Sequence, residues 1–110
     1  PHIMAFVLSG KNFNARLIPE SYIMLRDIKT APFSALADGT ISETISTTVP
    51  VVLVEKECVL TAGKTPLQAF DRLEVLEYSA NSVLSALKLG NIASITDAEV
   101  KEINENFQGW

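Results

Sequence analysis

The sequence is poor in most features that would mark a specialised class. One cysteine in 110 residues excludes a disulfide framework within the chain and fits a reducing compartment, so a cytoplasmic location is expected. Nine Lys and Arg against thirteen Asp and Glu leave a formal charge of -4. Cations that sparse do not build a nucleic-acid-binding face. No apolar run approaches the roughly 18 to 20 residues needed to span a bilayer, and no membrane association is expected. The apolar opening carries neither a basic leader nor a small-residue cleavage site, so no secretory signal is read there. Repeats and low-complexity segments are absent as well.

What is there fits a globular domain. The hydrophobic fraction is 47% and the charged fraction 20%, enough apolar side chain to bury a core and far from the composition of disorder. Residues 1–110 are taken as a single domain, with 91–110 as a C-terminal helical extension. The chain opens on Pro1-His2-Ile3-Met4 and runs straight into apolar residues. Either that opening is a non-native leader or the sequence is the later part of a longer protein; the second reading is favoured.

Patterning predicts a helix over Ile3 to Leu8 that ends at Ser9-Gly10, where glycine accepts the left-handed conformation. A polar loop covers Lys11 to Arg16. Pro19-Glu20 suits a first helical turn, and the helix to Asp27 would bury Ile23, Met24 and Leu25. Ile28 to Phe33 reads as a strand that Pro32 confines to an edge or an end. Ser34 to Gly39 reads as a turn. Thr40 and Glu43 match a capping box opening a short helix to about Ser46, with Ile41 and Ile45 on one face. Val51 to Val54 is uniformly apolar and three-quarters β-branched, an interior strand covered on both faces. Glu55-Lys56-Glu57 interrupts it, and Cys58 to Thr61 resumes strand character.

The longest expected helix follows. Thr65 and Gln68 form a second capping box with Pro66 at the first helical position. The helix carries a stripe of Leu67, Phe70, Leu73, Leu76, Ala80, Val83, Leu84 and Leu87 and ends at Gly90, about 36 Å at 1.5 Å per residue. Thr96 and Glu99 form a third capping box, flanked by Ile95 and Val100 as a hydrophobic staple. The helix they start would turn Val100, Ile103 and Phe107 inward.

One candidate site lies in the turn before the long helix. Gly63, Lys64 and Thr65 complete the phosphate-loop pattern G-x-x-x-x-G-K-[ST] between a strand and a helix. The first glycine of that pattern is Cys58, however, and Val59 to Ala62 favour extended chain over a loop wrapped around phosphate. A plain strand-to-helix turn is the preferred reading, and a nucleotide binder ranks a distant third among functions.

The other candidate rests on resemblance. VLVEKECVLTAGKT from Val52 to Thr65, followed by AFDRLEVLE from Ala69 to Glu77, resembles the C-terminal part of the class II aldolase/adducin family, which contains the fuculose-phosphate and rhamnulose-phosphate aldolases. The family pattern there is LLENHGVLTxGK and then AFxRLExLE. Ile18 to Asp27 is similar to an upstream segment of the same proteins, and the resemblance extends to about Gly90. It implies an α/β fold in α/β/α layers, with a mixed or antiparallel sheet and packed helices, here without its N-terminal part.

The resemblance further implies a metal-dependent aldehyde-lyase that cleaves a sugar phosphate such as a ketose 1-phosphate by retro-aldol chemistry. Three histidines would hold zinc or a similar divalent metal: an H-x-H pair and the histidine of the N-H-G triplet. The triplet here is Lys56-Glu57-Cys58, so Glu57 stands at the ligand position. The H-x-H pair and the acid/base Glu would precede Pro1, which makes the 110 residues alone inactive. The candidate metal ligands are Glu57 and, as a neighbour of the missing pair, His2. Tyr22 is the candidate catalytic residue, near the position of a tyrosine that assists proton transfer to the leaving aldehyde. Each has a plainer reading: Glu57 as a solvated charge, Cys58 as a small buried apolar residue, Tyr22 as a core or interface aromatic. Glu74 and Glu77 read as a solvated helix face or as partners of Arg72. Family members form homo-oligomers, so self-association is expected. The alternative function is a binding or scaffold module that keeps the fold and has lost its metal.

Overall fold

The computed structural model describes residues 1–107, and they form a mixed α/β domain around a small three-stranded sheet. In chain order the elements are α1 (His2–Ser9), α2 (Pro19–Leu25), β1 (Ile28–Ala31), α3 (Ala35–Asp38), α4 (Ile41–Thr44), β2 (Val51–Val54), β3 (Cys58–Thr61), α5 (Pro66–Leu89) and α6 (Asp97–Asn106). The strands lie in the order β1-β2-β3. β1 pairs in parallel with β2, Ile28 opposite Val51, and β2 pairs antiparallel with β3, Val54 opposite Cys58. The expected mixed sheet is therefore present, and Pro32 follows its edge strand.

β2 sets the layering because successive side chains point to opposite faces. Val51 and Leu53 enter a core with Ile3, Phe6, Leu25, Val75, Leu76 and Ala80, from α1, α2 and α5. Val52 and Val54 enter a second core with Ala31, Ala35 and Val49, flanked by Ile41 and Ile45 from the α3–α4 side. All four β2 residues are buried. This is why an unbroken apolar run, rather than an alternating one, was needed here. The parallel β1–β2 pair requires a crossover, and residues 32–50 provide it through two single-turn helices. The antiparallel pair needs only Glu55-Lys56-Glu57, where Lys56 takes φ 58° and Glu57 N–H donates to Val54 O at 3.1 Å.

The helix ends follow their local chemistry with three departures. Gly10 caps α1 in the left-handed conformation at φ 70°, and Thr96 and Glu99 form the full reciprocal box at the start of α6. The box expected at Thr40 does not form. Thr40 is itself in the helical region, and its N–H and hydroxyl both donate to Asp38 Oδ1, at 2.9 and 2.7 Å. A carboxylate two residues back competes successfully for both donors. At α5 half of the box is displaced by one residue. Thr65 Oγ1 accepts from Gln68 N–H at 3.1 Å, but Gln68 Oε1 accepts from Lys64 N–H. The segment read as a turn, 34–39, contains the single-turn helix α3, closed by Gly39 at φ 81°.

The main correction concerns which side of α5 is buried. Its inward residues are Arg72, Val75, Leu76, Ser79, Ala80 and Val83. Leu67, Phe70, Leu73 and Leu87 from the expected stripe are exposed, Leu67 at 68% and Phe70 at 54%. The cause is length. A helix of 24 residues extends about 36 Å, whereas a four-residue strand covers about 13 Å. The helix outreaches the sheet and packs chiefly against α1 and α2, and its buried residues are confined to its middle turns. Ser79 is tolerated there because its hydroxyl meets that of buried Ser21 on α2 at 2.7 Å. On α2, Ser21 and Leu25 are buried while Ile23 and Met24 are partly exposed, a rotation from the expected set. Phe107, expected inward, is 49% exposed.

Candidate functional site

α6 and the preceding loop dock on residues 15–26. Ile95 N–H donates to Arg16 O, and Arg16 pairs with Asp97 at 2.7 Å. Tyr22, the candidate catalytic residue, is held in that seam. Its hydroxyl donates to Asn104 Oδ1 at 3.2 Å, and the Arg26 guanidinium lies over its ring at 5.8 Å. Arg26 takes φ 52° and ψ -131°, a sparsely populated conformation for a side-chain-bearing residue, and its buried Nε lacks a partner among the described residues.

His2 sits at the start of α1 and is committed to Glu77 of α5. Glu77 Oε2 accepts from His2 N–H at 2.9 Å and lies 2.6 Å from His2 Nδ1, while Oε1 accepts from Ile3 N–H at 3.0 Å. Glu77 thus caps α1 from another helix, satisfying two otherwise orphaned donors at its positive end. Partial burial pushes the carboxyl upward, but the bonds from the Ile3 and His2 N–H groups and the His2 ring outweigh it and pull its pKa down to about 2.

Glu57 and Cys58, where the chain departs from the resembled pattern, lie at the β2–β3 hairpin. Glu57 is exposed and Cys58 half-buried at the edge of the second core. Burial, and then the negative charge of Glu57, push the Cys58 thiol up. The neutral thiol is therefore favoured, the form least suited to binding metal or attacking a substrate. Among the described residues no three His, Cys, Asp or Glu side chains converge on a point where they could hold a metal. The structure does not bring His2, Glu57 and Tyr22 into one cluster of that kind. Nor does any described helix have the length and apolarity to cross a membrane.

Two groupings were not foreseen. Tyr78 on α5 donates to Glu20 Oε2 on α2 at 2.5 Å, and burial together with that carboxylate pushes the phenol up to about 12. Arg72 does not pair with Glu74 or Glu77. It turns inward, donating through Nε to Met24 O at 2.9 Å and through Nη1 to Ala62 O at 2.6 Å. Helical geometry accounts for the missing pairs, since neighbours two and five residues away stand about 200° and 140° around the axis. The only hint in the sequence was a lone arginine between inward-facing positions. Burial, and secondarily the charge of Arg26, lower the affinity of Arg72 for its proton.

Comparison with protein-family models, with curated proteins and with solved structures finds no match to this chain.

Proposed function

We propose that this chain is the C-terminal portion of a class II aldolase-like protein, a metal-dependent aldehyde-lyase that cleaves a sugar phosphate by retro-aldol chemistry. The observation that carries the reading is the ordered resemblance from Ile18 to Glu77. Its segments form a spatially continuous unit: α2, the β2–β3 hairpin and α5, with Arg72 bonded to carbonyls of Met24 and Ala62. The residues described here do not complete a metal site. The reading therefore assigns the metal-binding histidines to sequence preceding Pro1, and this part supplies the sheet, the long helix and Tyr22.

A second reading has its own observation. Glu57 stands where the resembled pattern has a ligand histidine, it is exposed, and the adjacent thiol is held neutral. The protein would then be a binding or scaffold module on the same fold. Metal analysis of the protein extended upstream of Pro1, as purified and as Glu57→His, separates the two. Stoichiometric zinc in the unmodified protein, with release of an aldehyde from a ketose 1-phosphate, supports the lyase. Metal uptake by the variant alone favours the module, and neither metal nor cleavage in any form refutes the lyase.

A further inference from the structure

Arg72 is only 5% exposed, yet no carboxylate pairs with it among the described residues. Its Nε and Nη1 donate to two neutral carbonyls, which satisfy hydrogen bonds and leave the charge uncompensated. Nη2 has no acceptor among the described residues, and it is not sealed from solvent either. That nitrogen belongs to a side chain lining a cavity of about 320 Å³ with Ser46, Thr47, Ala62, Gly63, Lys64 and Gln68. Small-molecule sites begin at about this volume.

Among the described residues no acid lines the walls, and Lys64 is a second cation there. They are also built to bring backbone close. A Cβ on Gly63 would lie 2.7 Å from Ala69 N, so the turn is pressed against the first turn of α5, the positive end of a 24-residue helix. The hydroxyl-bearing Ser46 and Thr47 also line it.

We propose that this cavity binds the phosphoryl headgroup of a small molecule, with Arg72 Nη2 as the donor and Lys64 as the cation at the rim. A guanidinium N–H is a strong donor to phosphoryl oxygens, and the positive end of α5 adds a favourable field although Thr65 already caps Gln68 N–H. The site needs neither the first glycine of a phosphate loop nor a metal. It also stands independently of the aldehyde-lyase reading, because binding is measured without cleavage.

Titration of the 110-residue chain with inorganic phosphate, and separately with glycerol 3-phosphate, tests this by 1H–15N NMR at ionic strength held constant with chloride. Saturable shifts are expected at the amides of Gly63 and Lys64 and at the Arg72 Nε–H. Tighter binding of the ester identifies a phosphorylated small molecule as the ligand; equal affinity identifies the free anion. Lys64→Glu should weaken binding at least about tenfold, while Lys88→Glu, with the same charge change at the far end of α5, should not. Arg72→Lys should abolish it; if that variant fails to fold, Thr47→Glu places a carboxylate at the cavity and should do the same. Absence of saturation with both probes, shifts centred elsewhere, or equal weakening by Lys64→Glu and Lys88→Glu would overturn the proposal.

Discussion

Glu77→Gln probes the contact by which α5 holds α1. The wild-type carboxylate accepts from two backbone N–H groups of the first turn of α1 and from the His2 ring. An amide keeps one acceptor oxygen and loses the charge. A carboxyl that moves from 4.5 to about 2 on folding contributes at most about 3 kcal/mol at neutral pH. The Glu77 side chain is 28% exposed and that of His2 41%, so screening brings the expected loss to about 1–2 kcal/mol. The folded carboxyl is the stronger acid, so its contribution is complete above about pH 5 and disappears as pH falls from 4.5 toward 2. Urea denaturation at a series of pH values between 2 and 7 reads both quantities. The wild-type chain should lose stability through that window, and the variant, already lacking the contribution, should show a correspondingly flatter curve. Parallel curves, offset by a constant, would refute the assignment of the shift to Glu77.

Two further substitutions examine α5. Leu76→Ala removes a side chain with no exposure from the centre of the main core and should cost about 3 kcal/mol, whereas Leu67→Ala, from the exposed part of the expected stripe, should change stability by less than about 0.5 kcal/mol; thermal unfolding of the pair decides which face of the helix is internal. Gly63→Ala should destabilise by about 1–3 kcal/mol, because the added methyl meets the Ala69 backbone nitrogen at 2.7 Å and neither backbone can give way cheaply; a neutral result in chemical denaturation would mean that the turn is not pressed against the helix.

Legibility of the fold tracked how local the cause was. The end of α1 at Gly10, the edge position beside Pro32, the length of α5 and the capping box at Thr96 each depend on a few adjacent residues, and the structure has all four. β2 was legible for a related reason, since four consecutive apolar residues have only one economical environment. Thr40 failed because a competitor, Asp38, lies outside the four-residue motif. The inner face of α5 was illegible for a longer-range reason. Two apolar arcs coexist on that helix, and which one is covered depends on how α1 and α2 dock on it, which periodicity does not encode. The side chains named as site candidates were the least legible. His2 and Tyr22 acquired partners 75 and 82 residues away, and no local pattern specifies those.

Glu77 and Arg72 show how the same helix treats two charges differently. Each is drawn toward the body of the protein, and each takes up backbone partners from elements distant in sequence. Glu77 meets the positive end of α1, a dipole of the opposite sign, and its charge is thereby matched. Arg72 meets carbonyl oxygens that orient its guanidinium without neutralising it, near a second cation in Arg26. If orientation alone were required, a neutral donor would serve at lower desolvation cost. A full positive charge on a side chain that lines a cavity, with Nη2 unbonded among the described residues, is accounted for by the proposed anion. On that proposal the ligand would lie at the turn from Ala62 to Lys64 rather than at the hairpin at Glu57.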